Sequence, residues 1–142
     1  MPVIGWREWI SLPKFGIKAI KAKIDTGART SSLHAFDVTE FRSGEKVFLR
    51  FKVKPMQDDS RTSVTVEAPL IGYRKVRSSS GKAEIRPVIK TTIRLKNRRW
   101  RVEVTLARRD AMGFRMLLGR QAVKGRFVVD PSRSFTNGEV SS

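Results

Sequence analysis

Asp25, Thr26 and Gly27 stand together directly after Ile24, at the end of the alternating run Lys21-Ala22-Lys23-Ile24. A carboxylate that activates water for attack on a carbonyl must sit at the end of a rigid element, with its lone pairs aimed and its protonation controlled. Asp25 has that position. Gly27 lets the chain turn sharply and bring backbone N–H groups within reach of the carboxylate, which a residue with a Cβ would hinder. Thr26 is expected to point its hydroxyl inward and lock the loop by a hydrogen bond. The plain alternative is a strand that ends in a turn, because Asp, Thr and Gly are all ordinary turn residues.

Few other residues offer chemistry. His34 is the single histidine and cysteine is absent. A catalytic zinc takes three protein ligands dominated by His, so no metal centre is expected, and His34 is read as a structural residue on or under the strand after the loop. No glycine-rich phosphate loop is present either, so neither ATP nor any other cofactor is expected. Trp6, Trp9 and Trp100 are read as core or interface anchors. Towards the end, Met116-Leu117-Leu118-Gly119-Arg120 joins apolar residues to a glycine and an arginine, and Gln121-Ala122-Val123-Lys124 follows as a short helix.

The elements that must position Asp25 are strands. Alternation of apolar and polar residues is clearest over residues 46–53, 63–68 and 99–106, as in half-buried strands. A turn at Lys96-Asn97-Arg98 makes a hairpin of residues 91–106. Further strands are expected at 3–10, 16–24, 31–38, 85–89 and 127–130, and a helix only at 119–124. Many short strands with closely spaced turns predict an all-β fold, a closed or partly closed β-barrel. Tyr73 to Ala83 joins strand-like flanks through a Ser and Gly tip and is expected to move. The stretch from Pro131 has no core pattern, so residues 132–142 are expected to be a tail, disordered or gripping a second subunit.

The chain carries 30 Lys and Arg against 13 Asp and Glu, a formal charge of +17 in 142 residues. Such a field attracts polyanions over a long range. Nucleic acid is the usual partner for this balance, but an acidic peptide satisfies the same field. Residues 86–101 are the most lopsided, and their cations alternate with Ile93, Leu95 and Trp100, as on the outward face of strands. The first two dozen residues lack the apolar run of a signal peptide. No segment approaches the length that spans a bilayer. A cytoplasmic protein of one domain, with no membrane partner, is expected.

The pair of segments, Asp-Thr-Gly early and Leu117-Leu118-Gly119-Arg120 late, resembles the viral and cellular retropepsins. A closer resemblance rests on Ile24 to Ala35, Glu84 to Ile89 and Leu117 to Arg120. These resemble the bacterial retropepsin-like family often labelled ATP-dependent zinc proteases, which includes RimB, the partner of the RimK glutamate ligase. The likeness covers most of residues 1–131 and implies a retropepsin-like peptidase domain there. It further implies a cytosolic aspartic endopeptidase that trims the poly-glutamate tails added by a RimK-type ligase to a ribosomal protein, with Asp25, Thr26 and Gly27 as its catalytic motif. Residues 73–83 would then be a flap over substrate. Aspartic peptidases use two carboxylates that share one proton. This chain has one such motif, so a symmetric homodimer is expected.

In viral retropepsins the residue after Asp-Thr-Gly-Ala is commonly acidic and pairs with the arginine after the second glycine. Here it is Arg29. Two guanidiniums, Arg29 and Arg120, are therefore expected beside the cleft without a mutual partner, unless Arg29 pairs with Asp37. Together with Ala28, and with Arg77, Lys82 and Arg86 on or beside the flap, they are expected to bind substrate carboxylates, which Arg pairs with bidentately. Rival readings are a basic β-barrel module that binds RNA or ribosome without chemistry, and a retropepsin fold used only as a dimeric adaptor.

Overall fold

The computed structural model of the chain describes residues 1–56, 62–77, 80–108 and 113–137. Its elements are β1 (Val3–Ile4), β2 (Arg7–Leu12), β3 (Ile17–Asp25), β4 (Ser31–His34), β5 (Phe36–Ser43), β6 (Lys46–Val53), β7 (Val64–Arg77), β8 (Ala83–Leu95), β9 (Arg98–Ala107), β10 (Met116–Gly119), α1 (Arg120–Val123) and β11 (Val128–Val129). The fold is mostly β with one short helix, as the alternation in the sequence predicts. Along β3, Ile17, Ile20, Ala22 and Ile24 are buried while the lysines between them stay at least partly in water, the pattern of a strand with one wet face.

The strands form a nine-stranded sheet in the order β2-β3-β10-β4-β9-β8-β7-β6-β5, and β1 pairs with β11 in a separate ribbon. A closed barrel was expected. Strand β2 pairs with β3 and, through the bridge of Ser11 to Arg94, with β8, so that β2, β3, β10, β4, β9 and β8 follow one another in a ring while β7, β6 and β5 continue the sheet beyond it to an end at β5. Ile10, Leu12, Ile20, Leu33, Leu49, Phe51, Ile93, Leu95, Met116 and Leu118 fill the interior, each fully buried aliphatic side chain contributing about 1.5–3 kcal/mol. The expected hairpin turn is present: Lys96 and Asn97 both have positive φ, 50° and 64°, which matches the twist of the flanking strands. No helix among the described residues is long and apolar enough to cross a membrane.

Strands β7 and β8 make a long hairpin that reaches from Leu70 and Ile89 to Arg77 and Ala83. The hairpin lies where a flap is expected, and residues 78–79 of its tip lie outside the described residues. The Tyr73 hydroxyl on β7 donates to the Glu40 carboxylate on β5, and that bond, with some burial, holds the phenol above its ordinary pKa.

The C-terminal segment differs from the tail expected there, disordered or gripping a second subunit. Through Asn137 it lies on its own chain: Trp6 N–H donates to Arg133 O at 2.9 Å and Phe135 N–H to Arg7 O at 2.9 Å. Phe135 stacks on Trp9 with ring centroids 5.8 Å apart. The anchor is Glu8, which is fully buried. Its carboxylate accepts from Gly5 N at 2.7 Å, Thr136 N at 3.0 Å, Thr136 Oγ1 at 2.7 Å and Asn137 N at 3.1 Å. Those donors replace the water that a buried charge gives up. Residues 138–142 of the expected tail lie outside the described residues.

Candidate active site

Strand β10 lies between β3 and β4, parallel to β3 with Leu118 opposite Ile24 and Gly119 opposite Asp25, and antiparallel to β4. The turn from β3 to β4, residues 25–31, therefore arches over the end of β10, and the two ends meet. Gly119 N–H donates to Ser31 Oγ at 3.0 Å. Arg120 N–H donates to Ala28 O at 2.7 Å and Gln121 N–H to Arg29 O at 3.1 Å. The first N–H groups of α1, which have no partner inside the helix, are thus used to hold the loop. Close contact at this crossing demands a residue without a side chain, since a Cβ on Gly119 would stand 2.5 Å from Thr30 O.

Asp25 sits at the last position of β3, half-buried, with Thr26 and Gly27 exposed beyond it. Gly27 N–H donates to Asp25 Oδ1 at 3.0 Å, and a Cβ on Gly27 would come within 3.2 Å of that oxygen. Gly27 thus has the role read for it, bringing an amide onto the carboxylate. Thr26 acts otherwise than expected. Its hydroxyl makes no hydrogen bond among the described residues, and its carbonyl accepts from the Arg120 guanidinium at 2.9 Å. The loop is locked by that arginine instead.

Arg29 and Arg120 are brought together along one hollow of about 880 Å³, with Trp6, Phe127 and Val129 at its apolar side. Arg29 is exposed and meets no carboxylate among the described residues; Asp37, weighed as its partner, pairs instead with Lys52 at 3.5 Å. Ala28 is half-buried and offers its carbonyl to Arg120 N–H. The flap cations stand elsewhere. Arg77 and Lys82 are exposed near the hairpin tip, and Arg86 donates to Glu84 Oε1 at 2.7 Å. None of the three lines this hollow or the cleft described next.

On the other side of Arg29 opens a cleft of about 510 Å³, bounded by Thr30 and Ser31 of the loop after Asp25 and by Lys90, Arg101 and Arg126. Reading from sequence put Lys90 and Arg101 on outward strand faces but did not connect them to Asp25. For Arg126 no local pattern exists. His34, on β4, has its Nδ1 3.2 Å from Arg115 Nη1; a guanidinium only donates, so Nδ1 is the acceptor. No group of three or more His, Cys, Asp or Glu that could hold a metal ion occurs among the described residues.

The carboxylate at the end of β3 thus stands in register with the glycine at the end of β10, which brings the two segments of the retropepsin resemblance side by side. The family model of the RimB-like proteins, described as retropepsin-like aspartic endopeptidase RimB, matches residues 3–139. A protein of Desulfotalea psychrophila named "Probable alpha-L-glutamate ligase" is 46% identical over 139 residues, which is 98% of this chain and 30% of that protein. Proteins of the same name from Parasynechococcus marenigrum and Shewanella pealeana are 46% and 42% identical, over 97% and 96% of this chain and again 30% of theirs. The chain thus spans under a third of the length of these relatives. A crystal structure of a Legionella pneumophila protein of unknown function superposes with a TM-score of 0.81 at 29% identity, over 96% of this chain and 98% of that one. With its motif, its crossing at Gly119 and these matches, the chain belongs to the RimB-like family of retropepsin-like aspartic endopeptidases.

Proposed function

We propose that the chain is an aspartic endopeptidase that hydrolyses peptide bonds in acidic, glutamate-rich tails. The observation that carries the reading is Asp25 at the end of β3, in register with Gly119 and with Oδ1 held by Gly27 N–H. A carboxylate so fixed can take a proton from water while the water oxygen attacks the peptide carbonyl. A second, protonated carboxylate gives its proton to the carbonyl oxygen. Collapse of the diol then expels the amine with the proton the first carboxylate took. The second carboxylate is assigned to Asp25 of another copy, brought to the face where Thr26 and Gly27 are exposed.

Support for glutamate comes from two directions. The field of +17 favours an anionic substrate. The relatives that contain a module like this one are named for glutamate ligation, so we further propose that a RimK-type ligase supplies the tail and that a glutamylated ribosomal protein is the substrate. Their name also favours a second reading, a retropepsin-like adaptor that positions a ligase without cleaving anything. Incubation with a glutamate-tailed peptide decides between them. Wild-type protein should release shorter peptides, and Asp25→Asn and Asp25→Ala should release none while melting at the same temperature. Cleavage that survives in Asp25→Asn removes the mechanism, and no cleavage by any form leaves the adaptor.

A further inference from the structure

The open cleft beside the catalytic loop has more cation than its own structure uses. Lys90 on β8 and Arg101 on β9 line it with Arg29, and none of them meets a carboxylate among the described residues. The acid in the wall, Glu103, lies across the ladder from Lys90, but its carboxylate is taken by Arg74 at 2.7 Å. Arg126, at the rim, is held in place: its carbonyl accepts from Arg98 at 3.0 Å and its guanidinium lies 5.3 Å from the centre of the Trp100 ring. A stacked guanidinium of this kind loses little freedom when an anion arrives. Like charges gathered in one concavity repel, and a bound anion relieves that repulsion.

We propose that this cleft binds side-chain carboxylates of the substrate next to the scissile bond, with Lys90, Arg101 and Arg126 as the residues that select glutamate. The proposal rests on the peptidase reading and adds where acid is recognised. Thr30 and Ser31 belong both to the cleft wall and to the loop that carries Asp25. An extended peptide advances about 3.3 Å per residue, so the side chains this proposal assigns to the cleft are those of substrate residues that follow Thr30 and Ser31 away from a carbonyl at Asp25. The observations favour an acidic peptide over nucleic acid, because a base platform is missing: the Trp100 ring is covered by Arg126 and tilted on Phe127.

The test uses full-length Asp25→Asn protein and a fluorescent tetraglutamate peptide, read by anisotropy. The variant Lys90→Gln with Arg101→Gln is compared with Lys14→Gln with Lys46→Gln, which removes the same charge from exposed positions elsewhere. The cleft pair should weaken binding about tenfold or more, as expected when charge-assisted hydrogen bonds are lost, and the remote pair should change it by less than about twofold. Equal loss in both pairs, or in neither, overturns the proposal. Tighter binding of a short single-stranded RNA that is lost in the cleft pair assigns the cleft to nucleic acid and also overturns it. Arg101→Gln alone serves if the double variant fails to fold. Cleavage of the tailed peptide by wild type with unaltered binding in the cleft pair would keep the peptidase and remove the subsite. Cleft-dependent binding without cleavage would keep the subsite and remove the peptidase.

Discussion

Gly119 is where the site is most sensitive to a single atom. The neighbours that an added Cβ would meet, Thr30 O at 2.5 Å and Ala28 O at 3.0 Å, are backbone, and they belong to the loop that presents Asp25. Neither can swing aside as a side-chain tip could. Gly119→Ala should therefore cost about 1–3 kcal/mol of stability, the usual range for overpacking, and should abolish cleavage by displacing the loop. Urea denaturation and peptide assay check both, and an alanine variant as stable as wild type would contradict the packing argument. At this scale the sequence was informative where the chemistry is local. Asp25 and Gly27 interact across two residues, so their types and order reveal the contact. Thr26 was misread because its partner, Arg120, approaches from a distant segment. Lys90 and Arg101 could be assigned to an outward face, but which outward face borders the Asp25 loop depends on strand order.

Strands with one wet face were legible from alternation, and so was the turn at Lys96 and Asn97, because each signal lies within a few residues. The insertion of β10 between β3 and β4 was not, since a parallel pairing between distant segments leaves no local pattern. The C-terminal segment shows the same limit. Thr136 and Asn137 read as tail because what orders them is a carboxylate near the other end of the chain. Glu8 tests that account. Of the four groups that donate to Glu8, three are backbone N–H groups and the fourth is the Thr136 hydroxyl, and each carboxylate oxygen meets at least one of those N–H groups, so the amide nitrogen of Glu8→Gln would face an N–H that cannot accept whichever way the amide is turned. A loss of about 1–3 kcal/mol follows from leaving such groups unsatisfied, together with proteolytic release of the C-terminal segment. A variant that melts like wild type and resists protease would show that the segment is held mainly by Phe135 on Trp9. The start of the same segment should respond to pH. Bonds from the Ser132 hydroxyl and then its N–H, at 2.6 and 2.9 Å, hold the Asp130 carboxyl below its ordinary pKa, with Arg133 adding to the effect. A depressed carboxylate contributes stability above the ordinary carboxylate range and loses it as pH falls through the folded-state value. Asp130→Asn should flatten the decline of stability below about pH 4, measured by thermal melts across pH; an unchanged slope would remove Asp130 from that decline.

For the whole molecule, the charge of +17 opposes the dimer that the proposed mechanism requires and favours the substrate that the cleft is proposed to bind. Two such protomers repel as they approach, and the repulsion between exposed charges is screened within about 10 Å at 0.1 M salt. The face assigned to the second copy is mixed: Arg29, Arg120 and Lys124 share its hollow with Trp6, Phe127 and Val129. Added salt should therefore strengthen self-association by screening cation from cation, and burial of the apolar side does not weaken with it. Binding of tetraglutamate to Asp25→Asn protein should move in the opposite direction, since salt screens the attraction it depends on. Sedimentation equilibrium at micromolar concentration in low and moderate salt, beside anisotropy in the same buffers, measures the two effects separately. At low enzyme concentration, cleavage should then pass through a maximum between the salt that permits the dimer and the salt that releases the substrate. Oligoglutamate itself should act like local salt, because an anion bound between the copies neutralises the charges that hold them apart, and by linkage dimerisation should tighten its binding. If salt weakens dimer and peptide binding together, ion pairs rather than apolar contacts hold the copies, and if the protein stays monomeric at every salt while cleaving, Asp25 works without its mate.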